Sequence, residues 1–236
     1  VKYLRPMEDI PQSAEATAAP RPWWALALSG LFHPLLIPTY MYVLLMVINP
    51  FLFGSNDLGD QRAIITLVML VLYTFVIPLI SVLLMVLLNM VGSVMMEDRM
   101  ERIGPLLLVM VLYFWVYYNL SQSNDVPTIF SSFLLGVVMS LAIAFVINVL
   151  DKVSLHTIGM GGLAGMSMIC MLFFGSQGIG MGGITLSLGL LVILIVLIAG
   201  LVGSARLALG AHNNTQIYMG YFVGFFCQWM ALLFYF

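Results

Sequence analysis

Charge is what this sequence has least of. Its 236 residues include eight Lys and Arg and ten Asp and Glu, so that charged residues are 8% of the chain against 62% hydrophobic, and the mean hydropathy is +1.10. A soluble domain carries about three times that share of charge, so this scarcity excludes one. Cysteine is nearly absent too. Cys170 and Cys227 both fall inside long apolar runs, which excludes a disulfide framework and a thiolate metal site. Only three histidines occur, with no His-x-x-x-His or Glu-x-x-His spacing among them, so no metal site and no cofactor is expected. A net charge of -2 argues against a nucleic-acid partner.

What fills the chain instead is a series of uncharged stretches: residues 22 to 56, 63 to 96, 103 to 124, 126 to 150, 153 to 205 and 207 to 236. About 20 apolar residues span the hydrocarbon core as a helix. The longest stretch holds two such helices, separated by a glycine-rich segment from Gly175 to Gly183 that reads as a loop. The expectation is an all-α, polytopic transmembrane helical bundle of seven helices, over 23–49, 63–92, 105–121, 128–150, 157–175, 183–204 and 216–236. Barrel strands alternate in polarity over about ten residues, and these runs are apolar all round. Residues 1–22, with four prolines and an Ala-rich run, read as a polar, disordered tail ahead of a transmembrane domain over 23–236. The first apolar run is long and starts at Trp23, so it reads as a retained helix and not as a signal peptide. A cell membrane is the expected location, specifically a bacterial inner membrane.

Seven crossings put the tail and the loops after helices 2, 4 and 6 on one side. That side collects seven of the eight basic residues, leaving Arg62 opposite, and also His156 and His212. The tail residues Lys2, Arg5 and Arg21 fit the positive-inside rule and favour a cytoplasmic motif face. In the short loops the same bias sets Arg, Lys and His beside helix starts, where free N-H groups and the helix dipole already favour phosphate.

Three loops, 97–105, 151–157 and 204–216, carry the candidate chemistry. The first reads Glu97-Asp98-Arg99-Met100-Glu101-Arg102-Ile103-Gly104-Pro105, with Pro105 suited to a first helical turn and Asp98 spaced to pair with Arg102. The second reads Asp151-Lys152-Val153-Ser154-Leu155-His156-Thr157, with Ser154 at an N-cap position and Lys152 one turn before His156. In the third, Arg206 is followed after five residues by His212, and after three more by Gln216, which opens a Gly-containing helix. Glycines 161 and 165, and 220 and 224, have the small-xxx-small spacing of close helix packing. His33, followed by Pro34 in the first helix, reads as a packing or interfacial histidine.

The third loop resembles the third signature of the type 2 phosphatidic-acid phosphatase superfamily. Its second signature, Pro-Ser-Gly-His, is similar to Val153-Ser154-Leu155-His156 in the Ser and His places, and Arg99, Arg102 and Pro105 are a partial equivalent of the first. The resemblance covers residues 97–236. It implies metal-independent lipid-phosphate hydrolysis: His212 attacks phosphorus, His156 protonates the leaving oxygen, and Arg206, Arg99 and Arg102 neutralise the phosphoryl oxygens. Lys152 and Ser154 are further candidates for phosphate contact. Asp151 and the acids near Arg99 are expected to hold these cations. The chain departs from the family in having Gln216 where an Asp orients the nucleophile, and no match for the Lys of the first signature. Losing such a carboxylate costs a triad enzyme about 10⁴ in rate. A lipid phosphate and membrane lipids are the expected partners, with phosphatidate, phosphatidylglycerophosphate, a polyprenyl diphosphate and a lipid A phosphate fitting equally. A catalytically weak or inactive anionic-lipid binding or transport protein of the same fold is the alternative.

Overall fold

The computed structural model describes residues 21–94, 96, 98–175, 178–181 and 184–236, so the expectation of a disordered tail falls outside the described residues except at its last two positions. The protein is an all-α, polytopic helical bundle. The first span consists of α1 (Trp23–Leu31) and α2 (Ile37–Ile48), joined through a 3₁₀ turn at Pro34–Leu36. The second consists of α3 (Gln61–Val71) and α4 (Ile77–Leu87), joined through a π turn at Leu72–Val76. Five unbroken helices follow: α5 (Ile103–Ser121), α6 (Thr128–Leu150), α7 (Leu155–Phe174), α8 (Leu188–Ala208) and α9 (Asn214–Leu232). Six of these seven spans are long and apolar enough to cross a membrane. The seventh, α9, has the length but is less apolar, because Asn214, Gln216, Gln228 and its glycines lower its hydropathy.

Two expectations are corrected. The stretch between α7 and α8 contains a small antiparallel hairpin, β1 (Gly178–Met181) against β2 (Ile184–Ser187), with Gly178 opposite Ser187 and Met181 opposite Ile184. Consequently α8 begins at Leu188, later than the expected 183. The second span ends at Leu87 and not at 92. Asn89 stops it by adopting a left-handed conformation, φ 55°, which Asn tolerates better than other side chains.

Both breaks in the first two spans follow from proline chemistry. Pro78 has no N-H to offer the Thr74 carbonyl four residues back. The Tyr113 hydroxyl of α5 donates to that carbonyl instead, at 3.0 Å. In the first span the helix stops at Leu31 and restarts after Pro34, and His33 accepts the Leu35 N-H at 3.3 Å.

The closest seam in the bundle lies between α7 and α9. A Cβ on Gly161 would stand 2.5 Å from the Tyr221 carbonyl oxygen, one on Gly165 3.1 Å from that of Phe225, and one on Gly224 2.8 Å from the Gly162 nitrogen. The two helices therefore touch backbone to backbone, as the glycine spacing predicts. Contact positions advance together along both chains, so α7 and α9 run parallel and open on the same face. One carries His156 in its first turn, and the other carries Gln216.

Candidate functional site

At the face where α5, α7 and α9 begin, a cavity of about 650 Å³ enters the bundle. Its mouth is cationic, with Arg21, Arg102, Lys152 and Arg206 on the wall, together with His33, His156 and His212. Its depth is mostly apolar, with Leu79 and Val82 of α4, Leu106 and Val109 of α5, and Val137 and Leu141 of α6, and with Ser140 and Gln228 as polar side chains among them. From Arg102 to Tyr113 the wall descends about 16 Å along α5, at about 1.5 Å per residue.

Local sequence explains how the third loop turns. Gly210 takes φ 64° after α8, its N-H bonds to Leu207 O at 2.9 Å, and the Ala211 N-H bonds to Arg206 O at 3.1 Å. This is a Schellman closure, which needs a residue without Cβ strain at that position. It folds Arg206, at the end of α8, back beside His212, ahead of α9. Asn213 then caps α9 by accepting the Gln216 N-H at 2.9 Å, while Gln216 Oε1 accepts the Asn213 N-H at 3.4 Å.

The His212 ring is held by the same amide, Nδ1 lying 3.1 Å from Gln216 Oε1. A carbonyl oxygen only accepts, so Nδ1 carries the proton and Nε2 keeps a free lone pair. Burial pushes the His212 pKa down to about 4; the Gln216 hydrogen bond opposes this, and Arg102, Arg206 and Lys152 add to it. The ring of the free protein is therefore neutral at pH 7. On the far side of Gln216, Nε2 donates to Asp151 Oδ1 at 3.1 Å.

His156 is fixed from α1. Its Nε2 donates to the Ser29 carbonyl at 3.0 Å, and the break at His33–Pro34 leaves that carbonyl to it. Arg206 donates to the Ser29 hydroxyl at 3.3 Å, so one buried serine tethers both groups. The His33 ring packs edge-on to His156, centroids 5.5 Å apart. Arg102 donates from Nε to Met96 O at 3.0 Å and lines the cavity.

Two of the expected phosphate contacts stand elsewhere. Arg99 is exposed and donates to the carbonyls of Val149, at 3.2 Å, and Leu150, while Asn148 Nδ2 donates to the Arg99 carbonyl at 2.8 Å. It closes the C-terminal end of α6 and is not on the cavity wall. Ser154 occupies the N-cap position of α7, but its hydroxyl is fully buried without a hydrogen-bond partner and does not cap. Its first turn is pressed against α9, where a Cβ on Gly220 would meet the Ser154 carbonyl at 2.9 Å. Two of the acids also differ from expectation, while Glu97 lies outside the described residues. Asp98 accepts the Met100 N-H at 3.1 Å and Glu101 the Gly92 N-H at 3.1 Å, so they shape the loop and do not pair with Arg102. Among the described residues no group of three His, Cys, Asp or Glu is arranged to hold a metal ion.

Several wall residues carried no sequence signal of a site. Ser29 is one serine in an apolar helix, and Arg21 reads as a topology signal. Gln228, deep in the cavity, has both amide atoms buried and unpartnered, lying against Gly136, where a Cβ would stand 2.5 Å from its Oε1. Only His33 had a local signal, the following proline.

Comparison of the chain with protein-family models, with curated proteins and with solved structures finds no match.

Proposed function

We propose that this protein is an integral membrane lipid-phosphate phosphatase, hydrolysing a phosphoric monoester or diphosphate through a phosphohistidine on His212. The observation that best supports this is one cavity with two chemistries: a mouth with four cations and three histidines, and apolar walls running about 16 Å below it. A phosphate at the mouth and a hydrocarbon chain beneath it satisfy both.

In the first half-reaction His212 Nε2 attacks phosphorus, the N-P bond forms and the P-O bond to the lipid breaks. The leaving oxygen takes a proton from His156, whose Nε2-H stays on the Ser29 carbonyl while Nδ1 gives up its proton. Water then attacks phosphorus, returns a proton to His156 and releases phosphate as the N-P bond breaks. Arg206 and Arg102, with Lys152, stabilise the charge on the equatorial oxygens. The chemistry read from these residues draws on no metal. The location is a cell membrane, read more finely as a bacterial inner membrane, since helical bundles of this kind are not outer-membrane architecture.

The neutral amide beside His212 favours one second reading, a protein of the same fold that binds or moves an anionic lipid without turnover. Detergent-purified protein assayed on a panel of lipid phosphates without added metal separates the two. Phosphate release that disappears in His212→Ala supports the phosphatase. Saturable lipid binding without release supports the alternative.

A further inference from the structure

The resemblance to the phosphatase superfamily leaves the nucleophile without its carboxylate, and the geometry points to where one has gone: we propose that Asp151, acting through Gln216, is the residue that positions His212. The inference rests on His212 being the nucleophile.

The chain of contacts is short and its polarity is fixed at both ends. Asp151 Oδ1 lies 3.1 Å from Gln216 Nε2, and Gln216 Oε1 lies 3.1 Å from His212 Nδ1. An ionised carboxylate only accepts hydrogen bonds, so the NH₂ side of the amide must face it. The oxygen side then faces two donors, the Asn213 N-H and His212 Nδ1. Turning the amide over would set NH₂ against a backbone N-H and leave a carbonyl oxygen facing Asp151. A carboxylate two side chains away thus selects the tautomer with the proton on Nδ1 and the lone pair on Nε2. The capping box of α9 explains the Asn213 contacts, but it requires neither the contact to His212 nor the one to Asp151.

Asp151 is well placed for this. It follows the last residue of α6, in extended conformation, and its Oδ1 also accepts the Lys152 N-H at 2.6 Å, which fixes the carboxylate. Among the described residues the other charged and titratable groups around His212 are Lys152 from the same loop, Arg102 from α5, Arg206 from α8, and the His156 and His33 rings across the cavity. Asp151, joined to the ring through Gln216, is placed to offset the positive charge developing on it during attack. It does so through a polarised amide, and its proton inventory does not change during the reaction.

Nitrogen NMR of the full-length protein with ¹⁵N-labelled histidine reads this directly, using His212→Ala to assign the ring. The parent is expected to show a single Nδ1-H tautomer for His212 at neutral pH. Asp151→Asn is expected to give a mixture, and to lower phosphate release from phosphatidate in mixed micelles by about 10- to 100-fold, the scale on which second-layer partners of histidine act. The decisive variant exchanges the two groups: Asp151→Asn with Gln216→Glu places a carboxylate directly on Nδ1 and an amide behind it. It is expected to restore the single tautomer and to recover the rate lost in Asp151→Asn, which a merely structural role for Asp151 does not predict. An unchanged tautomer and rate in Asp151→Asn overturns the inference while leaving the phosphatase reading in place, provided that His212→Ala is inactive. Hydrolysis that survives His212→Ala overturns the reading itself, and the tautomer measurement still decides whether Asp151 controls the ring. If Asp151→Asn unfolds, failure of the exchanged pair to restore a single tautomer overturns the inference.

Discussion

The second span and α7 are both built to cross a membrane, and they are opposites. The second span, Gln61–Leu87, is the more apolar, yet only 17% of its most apolar stretch is buried, against 67% for α7. In water the more hydrophobic helix would be the inner one. In lipid, hydrocarbon on the outside is no penalty, and the interior is reserved for small and hydrogen-bonding residues that let backbones approach. The buried positions of α7 accordingly include Thr157, Gly161, Gly162, Gly165 and Ser167, interleaved with Ile158, Met160, Leu163, Met166, Ile169 and Cys170. The site draws His156 and Gln216 from the less apolar α7 and α9, and Arg206 from the end of α8, which is as apolar as the second span.

If the second span and the site helices differ in this way, substitutions in the one and at the site should separate sharply. The largest effect is expected at His212. His212→Ala should abolish phosphate release and trapping of a phosphohistidine, whereas Leu87→Ala, on an exposed side chain of the second span, should change neither. Arg206→Ala comes next, with turnover falling by about 10²–10³, the usual cost of losing one donor to a developing oxyanion. Arg206→Lys should recover part of this, since it keeps the charge and loses the planar fork.

Glycine gives a second contrast, between the packed seam and an open position on α8. Gly224→Ala forces a methyl group into the backbone of α7 at Ile158 and Gly162, and should destabilise the protein by about 1–3 kcal/mol. Gly200→Ala, with nothing within 4 Å, should stabilise it by about 0.4–1 kcal/mol. Thermal unfolding in detergent measures both. Opposite signs from one chemical change would locate the seam; equal signs would break the contrast.

The smallest effect concerns pH. Burial depresses the His212 pKa from 6.5 to about 4 in the folded protein. Between those values the unfolded chain binds the proton more readily, so the contribution of this ring to stability is complete above pH 6.5 and is lost as pH falls through about 4. His212→Asn should therefore flatten the acid side of the unfolding-temperature profile over that window.

The fold was legible in the sequence because the bilayer imposes one rule, an uncharged run of helical length, and the chain obeys it at six spans. The exceptions were places where backbone chemistry acts locally. The break at His33–Pro34 and the stop at Asn89 depend on single residues inside or beside apolar runs. The hairpin at Gly178–Ser187 hides in a stretch whose glycines suggest a loop. At the site, spacing alone placed Arg206, His212, His156 and Gln216 near helix ends on one face. It could not show that Arg99 turns to the end of α6 or that the Ser154 hydroxyl is buried. Nor could it show that Ser29, from the far end of the chain, holds both His156 and Arg206. Long-range partners leave no periodicity.

The modest hydropathy of α9 has a consequence for how the protein is made. As a lone segment, with Asn214, Gln216 and Gln228 exposed to lipid, this helix partitions into a bilayer less readily than the six other spans. Its glycines and polar side chains become assets only when α7 and α6 are already in place to receive them. Insertion of α9 is thus coupled to docking, and it follows the helices that form its berth. Because His212 and Gln216 arrive with α9, a chain in which that helix has not docked has Arg102 and Lys152 at this face without the His212 ring that completes the cavity wall.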